Sequence, residues 1–311
     1  MIIVGVDGSR AGLEAAGWAA VEAALRRTPL TVAHAVPRWV CEAAGGRYAE
    51  VNRWMREGAQ TVLATAHDRA LRERPGLLVE TLLLPGDPRT ALIKAAEDAE
   101  LLVVGSRGIG GVRGLLVGSV AYGVAAHART DVVLVRDRPP PKAHPPGSPE
   151  RGSSQGGWSA GGSSAGGSSA GGSSAGGEVV AGVDGSTGAH RALGFAFDYA
   201  ERHGMRLRAV QAWAWPHAEG FAPADPISEQ DVRQTLQEVL ARHRERHPGV
   251  DVIAEVVHGH PVEVLREAAA GADLLVVGSR GHGQLAGMLM GSISQAMLHH
   301  APCPLAVARH A

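Results

Sequence analysis

Apolar residues fall in short runs separated by longer stretches in which they recur every three or four positions. In the N-terminal part, the runs at 2–6 (IIVGV), 30–36 (LTVAHAV), 77–84 (LLVETLLL), 101–105 (LLVVG) and 132–136 (VVLVR) predict strands. The stretches 11–27, 48–74, 88–99 and 117–128 predict helices between them. The C-terminal part repeats the alternation, with strands at 179–183, 206–213, 250–257, 274–278 and 304–308 and helices at 187–203, 228–246, 261–271 and 290–300. Strand, helix, strand at these lengths implies right-handed crossovers and parallel strands. IIVGV and LLVVG are apolar at successive positions, as a sheet covered on both faces requires. The expected fold class is therefore α/β: two doubly wound, open, parallel five-stranded sheets from a duplicated domain.

The duplication is visible in the letters. IIVGVDGS at 2–9 matches VVAGVDGS at 179–186, and LTVAHAVP at 30–37 matches LRAVQAWAWP at 207–216. VVLVR at 132–136 matches PLAVAR at 304–309. These repeats set the expected domains at 1–137 and 178–311. Residues 138–177 form a Pro-rich and then Gly/Ser/Ala-rich linker. Such a composition cannot bury enough apolar area to offset its ordering entropy, so disorder is expected.

Composition narrows the partners. With Lys+Arg 30 against Asp+Glu 31, the chain lacks the basic footprint of a nucleic-acid binder. Hydrophobic residues make up 45% and aromatics only 4%, which suits Ala-rich helices packed on Val- and Leu-rich strands. Two cysteines, Cys41 and Cys303, do not make a disulfide framework, so a cytoplasmic location is expected. Neither a signal peptide nor a membrane span is expected.

The candidate chemistry sits on glycines. After the fourth strand of the first copy come Gly105-Ser-Arg-Gly108, nine residues, then Gly118-Ser119; the second copy has Gly278-Ser-Arg-Gly281, nine residues, then Gly291-Ser292. Glycines let backbone amides approach an anion, and the helix that follows adds its positive end. The spacing is neither a Walker A loop nor the dinucleotide fingerprint. A glycine-rich loop closing tightly on the sheet is the competing explanation. If the first and fourth strands flank the point where strand order reverses, Asp7-Gly8-Ser9 and Asp184-Gly185-Ser186 meet these loops there.

GVDGS after the first strand, the HAV stretch in the second, and G-x2-G-x9-G-S after the fourth, all in a duplicated five-strand layout, resemble the universal stress protein family. The glycine spacing resembles that of its ATP-binding branch. The resemblance implies strand order 3-2-1-4-5, ATP over the switch point between strands 1 and 4, and dimers or tandem domains that mimic one. It implies that Gly5 and Asp7 border the adenosine and that Ala35 offers backbone groups to the adenine edge. Gly105, Arg107 and Gly108 would wrap the ribose–phosphate region, while Gly118, Ser119 and the Val120 amide would hold the outer phosphates. The second copy supplies Gly182, Asp184, Ala212, Gly278, Arg280, Gly281, Gly291, Ser292 and Ile293 in the same roles. The implied function is nucleotide-dependent regulation of a stress response, with ATP, with or without Mg²⁺, as the ligand.

Other readings stay open. Ser119 could be a plain N-cap, Asp7 a turn residue, and Arg107 and Arg280 solvent-facing. A slow ATPase or phosphotransferase could use Asp7 and Asp184 to position Mg²⁺ or water, although no catalytic base is evident beside the glycine loops. A scaffold without nucleotide is the third possibility. The last strands of the two copies are expected to pair at their edges, with a further homodimer possible. His243 and His247 read as a solvated helix face. His258, His260 and His282 are a weak zinc candidate, so no metal site is assigned. Cys303 reads as a buried structural thiol and Cys41 as an inert thiol in a loop.

Overall fold

The computed structural model describes residues 1–42, 49–109, 117–136, 177–213, 228–281 and 290–309. The first half runs β1 (Ile2–Gly5), α1 (Arg10–Arg26), β2 (Leu30–Val36), α2 (Arg38–Glu42), α3 (Ala49–Glu73), β3 (Val79–Pro85), α4 (Pro88–Ala95), β4 (Leu101–Gly105), α5 (Ser119–His127) and β5 (Val132–Val135). The second runs β6 (Glu178–Gly182), α6 (Thr187–His203), β7 (Arg206–Trp213), α7 (Glu229–Arg246), β8 (Val252–His258), α8 (Pro261–Ala268), β9 (Leu274–Gly278), α9 (Ser292–His300) and β10 (Leu305–Ala308).

The strands lie in the order β3-β2-β1-β4-β5-β10-β9-β6-β7-β8. Pairing is parallel within each half, and β5 and β10 pair antiparallel, with Val133 opposite Ala306. The two five-stranded arrays are thus one continuous ten-stranded sheet. Successive apolar residues of β1 and β4 feed different layers. Ile2, Val4, Leu101 and Val103 pack with Ala15, Ala16 and Ala19 of α1 on one face. Ile3, Leu102 and Val104 pack with Leu92 of α4 and Val124 of α5 on the other. Helices α1 and α6 start under the same kind of cap: Ser9 Oγ accepts from the Gly12 amide at 3.1 Å, and Ser186 Oγ from the Ala189 amide at 3.2 Å.

Across the halves, α1 meets α6. Trp18 stacks on Tyr199 with ring centroids 6.0 Å apart. Glu22 of α1 is fully buried and accepts from Arg26 Nε at 2.5 Å and from His203 Nε2 of α6 at 2.9 Å. Burial alone would raise the Glu22 carboxyl, but the hydrogen bond to His203 and the Arg26 guanidinium outweigh it and hold the carboxyl below the ordinary range.

Two local expectations change. Cys41 lies in the short helix α2, not in a loop, because Arg56 of α3 donates to the Val40 carbonyl at 2.5 Å and the Cys41 carbonyl at 2.7 Å. His243 and His247 are not a solvated face. Both rings stack on Phe197 of α6, at 5.2 and 5.5 Å, and His247 also contacts Glu201 at 2.9 Å. The zinc candidate has no metal-binding cluster among the described residues, and its His282 lies outside them. Cys303 is buried, and burial pushes its thiol up to about 12. Residues 138–176 of the linker also lie outside the described residues. No helix among those described is long and apolar enough to cross a membrane.

Candidate functional site

Each half carries one cavity at the carboxyl ends of its central strands. In the first half, β1 and β4 are neighbours in the sheet although two strands and four helices separate them in sequence, so the strand order reverses between them. The chain leaves both strands at that point and opens a crevice of about 490 Å³. Gly5, Asp7, Ala35, Gly105, Arg107, Gly108, Gly118, Ser119 and Val120 all line it. The second cavity, about 240 Å³, is lined by Gly182, Asp184, Ala212, Gly278, Arg280, Gly281, Gly291, Ser292 and Ile293. Every residue that the resemblance placed beside the nucleotide therefore lines its cavity.

The motif glycines divide into two kinds. A Cβ on Gly105 would stand 2.7 Å from the carbonyl carbon of Ala11, and one on Gly278 would stand 2.6 Å from that of Gly188. A Cβ on Gly108 or Gly281 would stand 2.4 or 2.3 Å from the carboxylate of Asp7 or Asp184. The loop closing on its own fold accounts for these four. Gly118 and Gly291 differ: the nearest atoms to an added Cβ are 3.6 and 3.5 Å away, an ordinary contact. Their φ values, −74° and −69°, suit any residue. The protein supplies no steric reason for glycine there, whereas a ligand approaching the backbone would.

Gly118 and Gly291 are the N-caps of α5 and α9, and no side chain caps either helix. Ser119 and Ser292 therefore occupy the first helical position, which removes the plain N-cap reading of Ser119. Neither helix has an acidic residue in its first turn. Among the described residues nothing caps this positive helix end, and its first amides lie beside a serine hydroxyl, a donor set suited to phosphate oxygens. Each loop is closed at its base by a buried serine. Ser106 accepts from the Gly118 amide at 2.9 Å through its carbonyl and donates its own amide to Val135 at 2.8 Å; Ser279 does the same with Gly291 and Ala308.

Asp7 ties the two crevice loops together. One carboxylate oxygen accepts from the Ser9 amide at 3.0 Å and the other from the Ile109 amide at 2.9 Å. Asp184 accepts from the Ser186 amide at 2.9 Å. Asp7 is thus a turn residue, with acceptor capacity left on its carboxylate. His34 lines the first cavity, with Nδ1 2.7 Å from the Val6 carbonyl. A carbonyl only accepts, so Nδ1 carries the proton. Gln211 follows in the second copy.

Sequence reasoning missed the apolar wall opposite the loops. Pro88 and Leu92 of α4 line the first cavity, and Pro261 and Leu265 of α8 the second. The matching Gly-x-Pro turns at 86–88 and 259–261 were the available signal.

Comparison with known proteins matches this architecture. The model of the universal stress protein family matches residues 1–136 and 177–309. A universal stress protein of Mycobacterium tuberculosis H37Rv is 33% identical over 319 residues, covering 99% of this chain and 96% of the relative. One from Mycolicibacterium smegmatis is 32% identical over 315 residues, with the same coverage of both. The crystal structure of a universal stress protein from Archaeoglobus fulgidus shares the fold with a TM-score of 0.66 at 19% identity, covering 100% of this chain and 98% of that one. With a G-x2-G-x9-G-S loop after the fourth strand of each half, the chain belongs to the universal stress protein family and carries the family's domain twice.

Proposed function

We propose that this protein binds one adenine nucleotide, ATP, in each half and acts as a nucleotide-dependent regulator in a stress response, not as a fast enzyme. The observation that carries the reading is the uncapped start of α5 and of α9. Each helix opens onto its cavity behind a glycine that internal packing does not require. The phosphates would lie on the amides of Ser119 and Val120, and of Ser292 and Ile293, with Arg107 and Arg280 lining the same cavities. The base would lie between the Ala35 backbone and Leu92, and between Ala212 and Leu265. Asp7 and Asp184 would use their remaining acceptor capacity on a ribose hydroxyl or the adenine amine. Mg²⁺, when bound with the nucleotide, would neutralise phosphate charge.

Regulation fits better than rapid turnover because Asp7, the first cavity's acid, serves as a tie between two loops. Asp7 is held by two amides, one from each crevice loop. Small molecules released by heat from the purified chain and identified by mass spectrometry test the reading. An adenine nucleotide approaching two per chain is expected. A chain that carries none, and acquires none when incubated with ATP, would leave only a scaffold role.

A further inference from the structure

Contacts between the halves link the helices that border the two cavities. Helix α5 begins on the first cavity and α9 on the second. One turn in from each start stand Tyr122 and Gln295, the same position of the repeat, and they meet: Gln295 Nε2 donates to the Tyr122 hydroxyl at 3.0 Å. The Tyr122 ring also packs beside His299 of α9, with centroids 6.2 Å apart. Farther along, Arg136 at the end of β5 donates to the Met297 and Leu298 carbonyls of α9, at 3.2 and 2.6 Å. The last turn of α9 is therefore gripped by the first half while its first turn faces the second cavity. Arg136 follows Val135, whose carbonyl accepts the Ser106 amide at the base of the first glycine loop.

From this geometry we infer that the two cavities bind ligand cooperatively, with Tyr122 and Gln295 as the positioning residues that couple them. The inference rests on the nucleotide reading above. A phosphate on the free amides of α9 fixes its first turn, and with it Gln295. Gln295 fixes Tyr122, and hence the first turn of α5. Because neither helix start is held by a side-chain cap, the first ligand bears most of the ordering cost and the second bears less, which gives positive cooperativity. Couplings of this kind change affinity by about tenfold.

The test uses ATP and the full-length chain in calorimetry. Gly291→Leu and Gly118→Leu each block one cavity; the backbone at both positions accepts a side chain. These variants give the affinity of each remaining site alone. The wild-type isotherm should show the second ATP binding about tenfold tighter than those single-site values predict. Adding Tyr122→Phe, or Gln295→Ala, to all three chains should leave the single-site affinities unchanged and make the isotherm the plain sum of two independent sites. Tyr122 lies outside the cavity lining, so a merely structural role would not produce that pattern. A wild-type isotherm already equal to the independent sum, or coupling that survives both substitutions, would overturn the inference while leaving nucleotide binding intact. No heat from any chain would remove the nucleotide reading and the coupling with it.

Discussion

The two cavities share a motif and differ in size, about 490 Å³ in the first half and about 240 Å³ in the second. The glycine-loop end is the same in both: equivalent glycines, serines and arginines, and equivalent uncapped helix starts. Three apolar lining positions outside the glycine-serine spacing differ between the two. Where Gly12, Ala33 and Val120 line the first cavity, the equivalent Ala189, Val210 and Ile293 line the second, each larger. The lesson is a division of labour. On the proposed reading, loop backbone would determine what kind of group is held, and side chains on the strands and helix starts how much of the molecule behind it fits.

The sharpest way to break that comparison separates the two kinds of motif glycine. Gly105→Ala should cost about 3 kcal/mol in chemical denaturation, because its methyl meets the backbone of α1. Gly118→Ala should change stability by less than about 0.5 kcal/mol and yet weaken ATP binding at the first site by about tenfold. Equal stability losses would show that Gly118 serves packing after all.

The halves also differ at their contact, and this predicts an effect of similar size on stability alone. Glu22 of α1 and Tyr199 of α6 lie equally far from their capping serines, so an acid on one helix replaces an aromatic on the other. Glu22→Ala would leave Arg26 and His203 without their shared partner and should cost about 3 kcal/mol. Its pH dependence has a definite sign. A carboxyl held low in the fold contributes stability above its unfolded value and loses it as pH falls through the lower folded value. Denaturation midpoints of the wild type should therefore fall more steeply on acidification, below the ordinary carboxylate range, than those of Glu22→Gln. Parallel midpoints would remove Glu22 as an acid-sensitive link.

Exchanging the apolar lining sharpens the comparison further. Ala33→Val should weaken ATP at the first site, and Val210→Ala with Ile293→Val should strengthen it at the second, each by about tenfold. Titration of chains with the other site blocked distinguishes them, and unchanged affinities would mean that volume does not select the ligand. The smallest difference is at the start of α4 and α8. Asp87 accepts from the Thr90 amide at 3.1 Å, whereas its counterpart His260 makes no side-chain cap. Asp87→Ala should cost about 1 kcal/mol and His260→Ala almost nothing in thermal unfolding.

Much of this architecture was legible in the letters because it is local. The runs at β1 and β4 are apolar at every position, and the glycine spacing recurs after equivalent strands, so the crevice with its Asp-Gly-Ser turns and glycine loops followed from pattern and topology, while the other residues facing it followed from the family resemblance. What was not legible depends on distant partners. Five residues are too few to display a helical period, so α2 becomes visible only when Arg56 holds its carbonyls. His243 and His247 sit among charged residues and look solvated until Phe197 packs under them. Glu22 reads as an ordinary acid on an alanine-rich helix, and its burial depends on His203, 181 residues away. Leu92 and Leu265 look like any core leucine until the sheet brings them opposite the glycine loops.

The most direct measurement is calorimetric titration of ATP into the wild-type chain and into Gly118→Ala/Gly291→Ala, with circular dichroism to establish that both are folded. Saturable binding of two ATP per wild-type chain, weakened at both sites in a folded double variant, is the predicted result. Wild-type protein that takes up no ATP, or a double variant that binds it with undiminished affinity, would contradict the claim that these two glycines open the helix starts to phosphate.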